Sequence, residues 1–179
     1  MKSIILKNGS LLTLRKVKKS DAFAMLEYLK LVGNESDNLT FGSEGIPLEL
    51  AEETAFLEKV EAMEYYTMMI GIIDDQIVSA GSLMGNPRIR LRHNAEIGIS
   101  VKKAYWNQGI AKAMLNELID FAKKNQVVTM IHLSVRTDNT YAIHLYESLG
   151  FKHSGIFPRQ LYINNHYYDT FLMTLDLNA

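Results

Sequence analysis

The stretch Ala95-Glu-Ile-Gly-Ile-Ser-Val101, running on through Lys102-Lys-Ala-Tyr-Trp-Asn-Gln-Gly-Ile-Ala111, has the form of a strand, a tight polar turn and a helix opening on a glycine. A helix start leaves its first backbone N–H groups without intrahelical partners, and the aligned peptide dipoles place about half a positive charge there. Such a turn beyond the carboxyl end of a strand binds phosphate or pyrophosphate. Asn107, Gln108, Gly109, Ile110, Ala111 and Lys112 supply the backbone groups, and the Lys112 ammonium adds charge. Gly109 is the one glycine of the turn, so both Gly-x-Gly-x-x-Gly and Gly-x-x-x-x-Gly-Lys-Ser/Thr fail. Further on, Thr129 to Arg136 reads as another strand, and Thr137 to Phe151 holds a helix that Asn139 can cap and Gly150 ends. Ala142 and Tyr146 follow Asn139 by one and two turns on the same face.

Other chemistries fall away. The chain has no cysteine, which excludes disulfides, thiolate zinc sites and a cysteine acyl-enzyme. Its five histidines show no metal-ligand spacing, so no metal is expected. Ser100 lacks the second glycine of a nucleophile elbow. Arg88, Arg90 and Arg92 alternate along what reads as a strand from Arg88 to Val101. With a net charge of −1 and no interleaved aromatics, they read as a solvated face rather than a nucleic-acid surface.

These residues need elements to hold them. Leu11 to Val17 alternates as a strand, and Ser20 or Asp21 caps a helix carrying Phe23, Leu26 and Leu29 on one face. Gly33 to Gly45 is polar loop, and Pro47 suits the first turn of a second helix through Leu50, Leu57, Val60 and Met63. Tyr66–Ile73 and Ile77–Met84 flank Asp74-Asp75 as an antiparallel hairpin. Gly98 inside its strand points to a bulge or to close approach of another backbone. The helix from Gly109 closes on Lys123-Lys124, with Asn125 as the residue beyond its end. The strand from Ile131 to Val135 must run parallel to the one before that helix, because a helical crossover joins them. Phe151 to Ile156 and Tyr162 to Leu177 finish as strands, turning near Asn164-Asn165.

The two chemical halves together resemble the GNAT N-acetyltransferase superfamily. Its helix-opening turn, Arg/Gln-x-x-Gly-x-Gly/Ala, is met by Trp106-Asn-Gln-Gly109-Ile-Ala111, with tryptophan in the first place. Its later helix, Asn-x-x-Ala-x-x-x-Tyr-x-x-x-Gly-Phe, is met through Asn139, Ala142, Tyr146, Gly150 and Phe151. The resemblance covers about residues 70 to 176. It implies an α/β (α+β) fold: a mixed twisted sheet of six or seven strands with helices on both faces, in the order β-α-α-β-β-β-α-β-α-β-β. It also implies acetyl-CoA as co-substrate, with the pyrophosphate in the turn from Trp106 to Lys112 and the pantetheine arm against the main chain of Ile99 and Val101. Asn139 would cap its helix, bond the pantetheine amide, or both, and Ala142 would leave room for the cofactor. Tyr146 would be the general acid toward the departing thiolate. An aliphatic ammonium is only about one part in a thousand free base at neutral pH, so a base or a desolvating site must serve the acceptor. Glu96 is the carboxylate placed for that work. Ser134 fills the position where some relatives carry a base, which raises the part of a water relay.

From Gly33 to Glu64 the chain carries nine acidic residues and one basic residue, Lys59. Most of these belong to the solvated face of the second helix. The resemblance makes this region a wall of the acceptor cleft, where negative potential draws in a cationic amine. The expected activity is N-acetyl transfer from acetyl-CoA to a primary amine by direct attack, on a cationic small molecule or a peptide amine. The alternative is a non-catalytic acyl-CoA-binding or regulatory module. The 179 residues, 47% of them hydrophobic, fit a single domain over 1–179 that buries roughly 70% of its unfolded surface. The N-terminal apolar run is too short for a signal peptide, and no stretch reaches the 18 or so apolar residues of a membrane span. A cytoplasmic protein without a membrane partner is the expectation. The oligomeric state is left open, a homodimer included.

Overall fold

The computed structural model describes residues 1–178. Eight strands form one mixed sheet: β1 (Lys2–Ile5), β2 (Leu11–Lys16), β3 (Tyr66–Ile73), β4 (Gln76–Gly85), β5 (Asn94–Val101), β6 (Met130–Arg136), β7 (Lys152–Ile163) and β8 (His166–Asp176). Their order is β1-β2-β3-β4-β5-β6-β8-β7, and every pairing is antiparallel except β5 with β6. Helices α1 (Ala22–Glu35) and α2 (Leu50–Ala62) cover one face, and α3 (Ile110–Asn125) and α4 (Thr140–Ser148) cover the other. This is the mixed, twisted sheet with helices on both faces that the element order implies, with one strand more than the six or seven expected. The extra strand, β1, pairs with β2 through a turn at Gly9, whose φ of 86° is left-handed.

Alternation sorts β5 and β6 onto the two faces. Ala95 and Ile97 join Ile131, Leu133 and Val135 in the larger core beneath α3, where Met114, Leu115 and Leu118 are fully buried. Glu96, Gly98 and Ser100 turn to the other face, with His132, Ser134 and Arg136 beside them. The smaller core there joins Met25, Tyr28, Leu57 and Ile70. Both faces therefore bury an apolar stripe, and the polar residues of β5 and β6 are concentrated on the side of α1 and α2.

Several sequence expectations need correction. β5 begins at Asn94, not Arg88: β4 ends at Gly85, so nothing pairs with the residues that follow. Arg88 to His93 instead close two successive turns, with Leu91 N–H donating to Arg88 C=O and Asn94 N–H to Leu91 C=O. The three arginines thus share no strand face. Helix α2 starts at Leu50 rather than at Pro47, because Glu49 and Glu52 cap it reciprocally. A single 3-10 turn, Lys19–Asp21, precedes α1 and sets its phase, so Phe23 is 65% exposed while Ala22, Met25, Tyr28, Leu29 and Val32 face inward. Helix α1 runs past Gly33 to Glu35. At the end of α3 the left-handed residue is Gln126, not Asn125.

Candidate active site

The β5–β6 pairing is short. Asn94, Ala95 and Glu96 face Met130, Ile131 and His132, and the register stops there. β5 nevertheless continues to Val101 against β4, and β6 continues to Arg136 against β8. The two parallel strands diverge toward their carboxyl ends, and the sheet opens into a wedge between them.

The turn from Trp106 to Lys112 stands at the end of β5. Asn107 and Gly109 take left-handed backbone, φ 61° and 83°, and Gly109 is the N-cap of α3 with no side chain capping it. Ala113 N–H is the first to bond back, to Gly109 C=O. Among the described residues the N–H groups of Gly109, Ile110, Ala111 and Lys112 have no partner, and they cluster at the positive end of a four-turn helix. Ile110 is buried, so only its backbone is on offer, whereas the Lys112 side chain is exposed. Gln108 fixes the turn from outside: its Oε1 accepts from Asn8 at 3.0 Å and its Nε2 donates to Ala104 C=O at 3.3 Å. The β1–β2 connection therefore braces the turn that opens α3. The Trp106 indole donates to Val101 C=O at 2.7 Å and remains 42% exposed. It closes the end of β5 and engages the Val101 carbonyl. Ile99 and Val101 turn their half-buried side chains toward the core beneath α3.

Gly98 marks no bulge, since the β4–β5 register runs evenly through Ser82↔Gly98. A Cβ there would meet only Ser82 Oγ, at 3.6 Å, so no protein backbone crowds it either.

Helix α4 starts from the carboxyl end of β6, at the open end of the wedge. Asn139 caps it, its Oδ1 accepting from Ala142 N–H at 3.3 Å. Tyr146 is buried, with its ring edge-on to Phe151 at 5.8 Å. Its hydroxyl has no hydrogen-bond partner among the described residues. Burial pushes its pKa up to about 12. The group is a neutral donor at any physiological pH.

Glu96 is exposed and lies in a cleft of about 270 Å³ with Met84, Asn86, Asn94 and His132. Glu96 and His132 are direct register partners, their strands about 4.8 Å apart. His132 carries no motif in the sequence, and only the polar alternation His132, Ser134, Arg136 places it on this face.

The acetyltransferase (GNAT) family model matches residues 36–151, well over half of the chain. The chain belongs to the GNAT acetyltransferase family. It is similar to the L-amino acid N-acetyltransferase AaaT of Escherichia coli, 30% identical over 105 residues that cover 59% of this chain and 65% of that protein. Against the first curated relatives, the shared stretch spans 16% to 65% of the relative's own length. Among solved structures, a GNAT-family acetyltransferase from Streptococcus pneumoniae has a TM-score of 0.90 at 28% identity, covering 93% of this chain and 99% of that one. The acetyltransferase yncA of Salmonella typhimurium, solved with acetyl-CoA, has a TM-score of 0.80 at 19% identity, covering 93% and 94%. That second likeness is one of fold.

Within the GNAT frame, the acidic segment differs from a simple charged wall. Glu35 accepts from Lys103 N–H, Glu44 from Gly42 N–H, and Glu58 and Glu61 hold Lys19. Glu53 is not solvated surface: it is 2% exposed, because the phase of α2 that buries Leu57 and Val60 buries it too. Its carboxylate has no partner among the described residues, and burial raises its pKa. Tyr66, whose pKa is raised by burial and by the Glu53 charge, begins the cross-sheet row Tyr66, Met84, Glu96, His132. A carboxyl that holds its proton more tightly when folded stabilises the protein below the ordinary glutamate range, and loses that contribution as pH rises through its raised value. Glu53→Gln should therefore raise the melting temperature at neutral pH and leave it unchanged in acid. Thermal melts at the two pH values check this. Glu53→Lys should destabilise the chain rather than merely reverse a surface charge. No described helix is long and apolar enough to cross a membrane.

Proposed function

We propose that this chain transfers an acetyl group from acetyl-CoA to a primary amine by direct attack within a ternary complex. The observation that carries this reading is the wedge between β5 and β6, bordered by a helix start whose N–H groups are free. The turn from Trp106 to Lys112 would take the pyrophosphate. The main chain of Ile99, and the part of Val101 left by Trp106, would take the arm as an added strand. Asn139 and Ala142 would flank it.

The amine nitrogen bonds to the acetyl carbon as the carbon–sulfur bond breaks. The surplus proton on nitrogen leaves toward Glu96, directly or through a water. The thiolate accepts a hydrogen bond from Tyr146. A thiol titrates near 8.5, well below the raised phenol, so full proton transfer from Tyr146 is uphill even once the thiolate has formed. Tyr146 therefore acts chiefly as a donor whose bond tightens as charge grows on sulfur. The exposed Glu96 carboxylate on the α1–α2 side, with the acidic segment beside it, favours a cationic acceptor. An amino acid or another small amine, or a peptide N-terminus, carries the required ammonium.

Acetyl-CoA at 100 times its dissociation constant should stabilise the fold by about 2.7 kcal/mol. Calorimetric titration and thermal melts read this directly, and an absence of binding at millimolar acetyl-CoA would end the proposal. Thiol release across a panel of amines then separates a transferase from a binding module: binding without turnover of any amine would support the module.

A further inference from the structure

The stretch from the middle of α1 to Asp37 touches both sides of the wedge. Toward β5, the Tyr28 hydroxyl and Ser100 Oγ are 2.9 Å apart, and Glu35 Oε2 accepts from Lys103 N–H at 2.7 Å, just beyond the strand. Toward β6, Arg136 Nη1 donates to Asp37 C=O at 3.0 Å, two residues past the helix. The remaining edges of that guanidinium are engaged as well. Nε and Nη2 fork onto Asp138 at 2.9 and 2.6 Å, and the plane stacks 3.7 Å from the centre of the Tyr168 ring on β8. The Arg136 side chain is only 10% exposed. β5 and β6 share no ladder at this level, so the contacts through Glu35 and Asp37 bridge their ends on this face of the sheet.

We propose that the end of α1 is a strut that sets the width of the β5–β6 wedge, with Arg136 as the positioning residue for the arm of acetyl-CoA. The inference rests on the acetyl-CoA reading above and adds to it a residue that does not touch the phosphate turn. A planar fork is required at this point. Lysine carries its three donors on one nitrogen, so it cannot reproduce the two-pronged bond to Asp138, the bond to Asp37 C=O and the stack on Tyr168 together. An arm laid between the strands depends on their spacing along its length. A nucleotide held by the turn at Trp106–Lys112 does not. The two halves of the ligand therefore respond differently to the strut.

The test compares acetyl-CoA with ADP, which carries the pyrophosphate and no arm. Arg136→Lys should weaken acetyl-CoA about tenfold and ADP by less than about twofold, the scale of one lost charge-assisted hydrogen bond. Lys103→Pro gives the same comparison from the β5 side. It deletes the N–H that donates to Glu35, at the first position of a 3-10 turn, behind a Lys102 whose ψ of 137° suits a following proline. Lys103→Ala, which keeps that N–H, accounts for the lost side-chain charge. Glu35→Gln keeps an acceptor oxygen but not its charge, so it should weaken acetyl-CoA less than Lys103→Pro does and leave ADP as in the parent. Unchanged acetyl-CoA affinity in Arg136→Lys and Lys103→Pro would overturn the strut. Equal weakening of both ligands would overturn it too, since it would show a contribution to the whole fold rather than to the arm. Failure of the parent protein to bind acetyl-CoA is a separate result, visible before any variant is made, and it removes the underlying reading.

Discussion

Tyr146→Phe should lower kcat by about 100-fold or more, the low end for loss of a general acid or of one donor to a developing anion, with acetyl-CoA affinity almost unchanged. The substitution keeps the ring, and with it the edge-on packing against Phe151 in the core beneath α3. The hydroxyl it removes has no partner among the described residues, so the melting temperature should hold or rise slightly. That separates the catalytic role from a packing role more sharply than the sequence allowed. A tyrosine serving only the core through a satisfied hydroxyl would lose about 1 kcal/mol of stability on conversion to phenylalanine and leave turnover intact. Steady-state kinetics with saturating amine, alongside thermal melts, read both quantities. A kcat within a few-fold of the parent would remove Tyr146 from the reaction.

Gly109→Val should weaken acetyl-CoA by about tenfold to a hundredfold, the loss of one or two charge-assisted hydrogen bonds from backbone N–H groups to phosphate. The cause is conformational rather than steric. A Cβ at Gly109 would meet nothing within 4 Å, but the φ of 83° is left-handed, where a β-branched residue is strained by roughly 1–3 kcal/mol. Relaxing that strain swings the following N–H groups away from the anion. Gly109→Asn supplies the control, since asparagine tolerates left-handed backbone and should retain most of the affinity. Equal affinities for valine and asparagine variants, measured by titration calorimetry, would show that the turn does not present its N–H groups to the ligand.

Local chemistry was the legible part of this chain. Asp74-Asp75 and Asn164-Asn165 all adopt positive φ at the hairpin tips, as short polar side chains do. The Asn139 cap, the left-handed Gly150 and the parallel run of β5 beside β6 were readable for similar reasons, because each follows from neighbours in sequence or from a crossover rule. What stayed hidden depends on partners far along the chain. The alternation from Arg88 to Arg92 looks like a strand, yet no neighbour exists to pair with it. Glu53 looks solvated until the phase of α2 is fixed by its cap and its packing. The four residues of β1 show no clean alternation in burial and are fixed by pairing with β2, while Asn8 just beyond them contacts Gln108, 100 residues on. The wedge itself is an absence of hydrogen bonds between two good strands, and no residue type announces it.

That wedge has a mechanical consequence. With only three residue pairs joining β5 to β6, the sheet behaves as two plates riveted at one end: β1–β5 on one side, β6–β8 on the other. The smaller plate is held by that rivet, by α3 and α4 and by the end of α1, so its separation from the larger plate breaks few strand-to-strand backbone bonds. Partial opening should run along this seam before it runs through either plate. A molecule lying in the seam adds to the rivet from within, so whatever occupies it also governs how often the two plates come apart.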